Sequence, residues 1–171
     1  MGLILALIFA GLSFGLAIPS AGPEAATAAD GKTAPAAATA EAAPEFPVEE
    51  QVATGKFLTA LEVKPILNAT QGSWVAVREY DGQDLLYFTH LLAWRCGLHQ
   101  IRFAVNGEAE QVYDAEPCHV DSAAPNSILA TDQLPFLAFP LQSIATVSVR
   151  LLYDDGTEGT ASFERAQIKM P

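Results

Sequence analysis

The chain has 171 residues, with 9 Lys and Arg against 20 Asp and Glu, a formal net charge of −11, and only two cysteines. That length holds one domain plus extensions. Such acidity repels phosphate backbones and anionic lipid headgroups, so nucleic acid is not an expected partner, and a membrane is expected only through the N-terminal segment.

Residues 2–18, GLILALIFAGLSFGLAI, are uncharged and almost wholly apolar, and Pro19-Ser20-Ala21-Gly22 follows. Residues 1–22 therefore read as a secretory signal peptide. No Lys or Arg precedes the apolar run, and about 17 apolar residues reach the lower limit of a membrane-spanning helix, so an uncleaved N-terminal anchor is the alternative. Residues 23–51 are rich in Ala, Pro and Glu and nearly devoid of large apolar side chains before Phe46. Prolines recur too often for a lasting helix, and too little surface can be buried to offset ordering, which predicts a disordered linker.

Residues 52–171 form the expected globular β-rich domain, with 8 basic against 14 acidic residues and a net charge of −6. In TALEVKPILNATQG, Thr59 and Glu62 have the spacing of a capping box, and Leu61, Ile66 and Leu67 are placed to share a buried stripe. Pro65 predicts a kink or break. Asn68-Ala69-Thr70 matches a glycosylation sequon, a pattern short enough to arise often by chance.

From Trp74 the signals turn to β. WVAVREY, Asp81-Gly82 and DLLYFTHL form a hairpin. The strand is expected to run to about Leu91 before a short turn, because Tyr87, Phe88 and Thr89 favour a pleated surface. HQIRFAV, Asn106-Gly107 and EQVYDAE give the strongest hairpin signal, and a long loop, PCHVDSAAPNSILATDQ, follows. LPFLAFP, bounded by Pro135 and Pro140, reads as an edge strand or bulge, and ATVSVRLLY, Asp154-Asp155-Gly156 and TEGTASFERA as a third hairpin. The fold class is mainly β: an antiparallel β-sandwich or open barrel, Ig-like in size, with one short N-terminal helix.

The hairpin at Asn106-Gly107 places the cysteines. A two-residue turn sets Cys96 opposite Pro117, and a three-residue loop sets it opposite Cys118; a bulge at Gly97 would absorb the difference. Either register brings the sulfurs close enough for a Cys96–Cys118 disulfide, as an exported chain with two cysteines suggests. The alternative is a metal or hydrolytic site built from His99, Asp114, His119 and Asp121. Against it, residues 52–171 have no C-x-x-C, H-x-x-x-H, H-E-x-x-H, G-x-S-x-G or S-x-x-K spacing. No Gly-rich phosphate loop follows a strand, so no cofactor is expected. Asp81 with Asp84, and Asp154 with Asp155, are read as turn residues rather than paired catalytic carboxylates. His90, in an apolar run, is read as a hydrogen-bonded core or interface residue.

The stretches VKPILNATQGSWVAVREYDGQDLLYFTHLLAWRCGL and IRFAVNGEAEQVYDAEPCHVD resemble small exported bacterial proteins of an uncharacterised group. The resemblance spans about Thr59 to Pro171, implies export and a shared compact domain, and attaches no activity. The leading expectation is a non-enzymatic periplasmic or envelope-tethered module that binds a protein or an envelope component. Its surface would use the edge at Pro135–Pro140, or Trp74, Tyr80, Tyr87 and Trp94 where these are exposed. Carbohydrate binding through aligned aromatic rings is the further alternative.

Overall fold

A computed structural model describes residues 46–131 and 133–171; the signal or anchor segment 1–22, and the linker as far as residue 45, lie outside the described residues. Helix α1 spans Ala60–Ala69, α2 Thr89–Leu92 and α3 Arg165–Ile168. Strands β1 (Ala76–Tyr80), β2 (Gln83–Tyr87) and β5 (Phe136–Pro140) form one antiparallel sheet in the order β1-β2-β5. Strands β3 (Leu98–Val105), β4 (Gln111–Val112), β6 (Thr146–Tyr153) and β7 (Glu158–Glu164) form a second, ordered β4-β3-β6-β7. The sheets do not close into a barrel; the fold is a β-sandwich whose core includes Val77 and Leu86 from the first sheet and Ile101, Phe103, Val147, Val149 and Leu151 from the second.

Local chemistry explains the three hairpins. Asp81 and Gly82 have φ of 49° and 75°, and Asn106 and Gly107 of 54° and 73°, the positive angles that tight hairpin turns demand. Gly156, with φ of 76°, completes the β6–β7 turn, where its N–H donates to the Tyr153 carbonyl at 3.0 Å. Strand β5 lies at the edge of its sheet, as its flanking prolines predict.

Several expectations are corrected. Helix α1 runs through Pro65 without a break; Leu61, whose carbonyl loses its helical partner to Pro65, is exposed, and the buried stripe is Ala60, Val63 and Leu67. The Thr59–Glu62 capping box does not form. The Asp154 carboxylate accepts from the Ala60 N–H at 2.8 Å instead, and Glu62 reaches back to the N–H groups of Gly55 and Leu58 at 2.6 and 3.0 Å. Strand β2 stops at Tyr87, because Phe88, Leu91 and Leu92 are all buried and the i, i+3, i+4 spacing reaches the core only as a helical turn.

The Asn106-Gly107 turn is present, but its return strand is only Gln111–Val112, and the long partner of β3 is β6, from Leu98 opposite Tyr153 to Val105 opposite Val147. The turn closes with the Glu108 N–H on the Val105 carbonyl at 3.0 Å, whereas Phe103 pairs with Gln111 and Arg102 with Val112. Residues 108–110 thus take up one extra position, the spacing of the three-residue loop, but the ladder ends at Arg102–Val112, short of the cysteines. The bulge in β3 falls between Leu98 and Gln100. Gly97 serves a different purpose: a Cβ there would stand 2.5 Å from the Val63 Cγ2 and 2.7 Å from the Thr59 carbonyl carbon, so only glycine allows α1 this close.

Candidate functional site

Cys96 and Cys118 form a disulfide with Cα atoms 5.0 Å apart. Beside it lies Arg95, 4% exposed, a residue that no sequence motif singles out. Its Nε donates to the Glu116 carbonyl at 2.6 Å, Nη1 to those of Leu92 and Asn126 at 2.8 and 3.0 Å, and Nη2 to those of Pro117 and Ser127 at 2.8 and 3.0 Å. A planar five-donor fork suits this task, which no lysine could copy. Burial lowers the Arg95 pKa, and the nearby Glu116 carboxylate, 3.8 Å away, opposes that shift. Arg95 and the disulfide together hold the long loop, and they draw the chain after Tyr113 away from the β3 edge.

That divergence opens a cleft of about 760 Å³ lined by Cys96, Cys118, His99, Asp114 and Glu116. The candidate metal or hydrolytic residues do not meet in it. His99 contacts the Pro47 carbonyl through Nε2 at 2.9 Å and stacks on Phe46 with centroids 5.0 Å apart. Asp114 is exposed and accepts from the Gln133 side chain. His119 is bonded to Glu116 at 2.6 Å, and lines with Asp114 a separate cavity of about 300 Å³. Asp121 is exposed and lines neither cavity. No group of three or more His, Cys, Asp or Glu side chains is placed to hold a metal ion among the described residues.

The acidic pairs divide. Asp81 is a turn residue, but Asp84 is not: it is fully buried on β2 and held by Arg165, Nη1 at 2.6 Å and Nη2 at 2.8 Å. The Arg165 hydrogen bonds hold the Asp84 pKa down, at about 2, against the opposing effect of burial. Asp155 bonds the Thr157 N–H within the β6–β7 turn and pairs with Lys64, while buried Asp154 caps α1. His90 is hydrogen-bonded as expected, Nε2 to the Thr70 hydroxyl at 2.8 Å, and its partial burial lowers its pKa. That contact also engages the third residue of the Asn68-Ala69-Thr70 sequon.

Strand alternation assigns the two outer faces of the sandwich. On the four-stranded sheet, Arg102 stands opposite Arg150, Ala104 opposite Ser148 and Ser148 opposite Ser162. The two arginines repel, and Glu110 bridges both, with Glu158 3.7 Å from Arg150. On the three-stranded sheet the rows read Ala76–Tyr87–Phe136, Arg78–Leu85–Ala138 and Tyr80–Gln83–Pro140. This second face has no carboxylate. Tyr80 is 58% exposed, Tyr87 packs against Phe136 with centroids 5.1 Å apart, and the guanidinium of exposed Arg78 lies 5.2 Å from the Tyr80 ring centre. Of the other aromatic candidates, Trp74 is fully buried, and Trp94 packs edge-on against Phe57. The rings of Tyr87 and Phe136 are inclined by 49° and do not form a coplanar platform.

Comparison with protein-family models, with curated proteins and with solved structures finds no match to this chain.

Proposed function

We propose that the chain is an exported, periplasmic or envelope-tethered module without enzymatic activity, which binds a protein or an envelope component through the outer face of its β1-β2-β5 sheet. The observation that carries this reading is the composition of that face: aromatic, free of carboxylates and bearing a cation with no ion pair among the described residues, on a domain of net charge −6. Tyr80 and Arg78 are exposed and Tyr87 and Phe136 half-buried on it, and tyrosine and arginine are the residue types that interaction sites favour. Strand β5 pairs with β2 alone, so its outer edge adjoins the same face. Export is supported by the apolar run at 2–18 and by a disulfide in a small domain. The Ala/Pro/Glu-rich segment would let a domain held near a membrane search for its partner.

Two experiments test the reading. The intact mass of the protein from its native host, with thiols alkylated before and after reduction, is expected to show thiols that react only after reduction; freely reactive Cys96 and Cys118 would count against export. Capture from the native cell envelope is expected to survive Ser148→Asp on the four-stranded face and to be lost with Tyr80→Asp. Equal capture by both variants would remove the assigned face.

A further inference from the structure

The outer face of the three-stranded sheet ends in a groove of about 570 Å³, within the range of about 300–1,000 Å³ in which small-molecule sites fall. Three separate parts of the chain build it. Strand β2 gives way to α2 just past Tyr87, β1 contributes Ala76 and Arg78, and the C-terminal residues run alongside β1, where the Met170 N–H donates to the Val77 carbonyl at 2.8 Å. Ala76, Tyr87, Ala93 and Met170 supply apolar walls, and an unbranched thioether such as Met170 adapts to chains of different shape.

Its electrostatics are one-sided. Among the described residues Arg78 is the one fully charged side chain on its lining, no Asp or Glu lines it, and Arg78 makes no ion pair. By contrast Lys64, Arg95, Arg102, Arg150, Arg165 and Lys169 each lie within 4.0 Å of a carboxylate. His90 also lines the groove; its ring is held by Thr70, and burial favours its neutral form, so it adds polarity without charge. The Arg78 guanidinium, 5.2 Å from the Tyr80 ring centre at the rim of this apolar groove and without an ion pair, matches a single carboxylate, which its fork holds with two parallel hydrogen bonds.

From this we infer that the groove binds a free single-chain alkyl carboxylate of the fatty-acid class, its chain between Tyr87, Ala93 and Met170 and its carboxylate on Arg78. The inference rests on the reading of this face as the binding face and names one ligand for it.

The test titrates the full chain with decanoate and, separately, with decanol, by isothermal titration calorimetry. Decanoate is expected to give a saturable heat of binding. Arg78→Met is expected to weaken decanoate about tenfold and leave decanol unchanged, while Ala93→Phe, which fills the groove, is expected to abolish both responses in a protein of unchanged far-UV circular dichroism. Absence of a saturable response, equal weakening of decanoate and decanol by Arg78→Met, or indifference to Ala93→Phe would overturn the inference. So would a response to phosphatidylglycerol vesicles with none to decanoate, which would make the groove a membrane contact, or a doubled mass without ligand, which would make it a contact between copies. Failure with decanoate while Tyr80→Asp still abolishes envelope capture sinks only the ligand; decanoate binding with capture indifferent to Tyr80→Asp sinks only the larger reading.

Discussion

The two sheets distribute charge in opposite ways. The four-stranded sheet is apolar inside, with Ile101, Phe103, Val147, Val149 and Leu151 in the core, and carries its ions outside, as the Arg102–Glu110–Arg150–Glu158 array. The three-stranded sheet buries its ions: Asp84 is fully enclosed against Arg165, which also holds Glu79 at 2.7 Å, while Tyr80, Leu85, Tyr87 and Phe136 lie on its outer side. A sheet that only had to be stable would follow the first pattern, since burying ions costs desolvation. The departure on β1 and β2 places the ions on the inner side of the sheet and Tyr80, Tyr87 and Phe136 on the outer side, the side for which we propose binding.

That contrast can be broken from the inside first. Arg165→Met strands a buried carboxylate and is expected to cost about 3–5 kcal/mol in urea unfolding, far more than the loss of any surface arginine. Removing the disulfide with Cys96→Ser and Cys118→Ser is expected to cost roughly 3 kcal/mol in the chain-entropy account and to expose the 116–127 loop to proteolysis, leaving both sheets paired.

Acid sharpens the comparison. Because the folded pKa of Asp84 is about 2, below its ordinary 3.8, its contribution to stability is present above about pH 4 and is lost as pH falls towards 2. The amount is about 2 kcal/mol, measurable as a fall in the urea midpoint that Arg165→Met no longer shows. At the small end, Arg150→Met on the opposite outer face is expected to change stability by no more than about 1 kcal/mol, because exposed ion pairs are solvated and the change also relieves repulsion from Arg102.

The parts of the fold that rest on local backbone chemistry were legible in the sequence. Asp81-Gly82, Asn106-Gly107 and Asp154-Asp155-Gly156 announce turns because few other residues tolerate positive φ, and the second turn already places Cys96 and Cys118 at the open end of one hairpin. What stayed hidden depends on partners remote in sequence. Arg95 binds backbone carbonyls, which every residue has, so nothing in the chain marks where its partners lie. Asp84 stands next to a turn and resembles a turn residue until Arg165 is brought to it across 81 positions. Helix α1 likewise takes its cap from Asp154, 94 residues away, rather than from the local Thr59 and Glu62 pattern. The apolar outer face emerged only when the strand register placed Tyr87 beside Phe136 and Leu85 beside Ala138.

The most direct test of the binding role proposed for the outer face of the three-stranded sheet is site-specific photocrosslinking in the native host, with the photoreactive residue at position 80 in one variant and at position 148 in another. Both positions are exposed and both variants are expected to fold. The account predicts a discrete adduct from position 80 and none from position 148; adducts from position 148 alone, or from neither position, would contradict it.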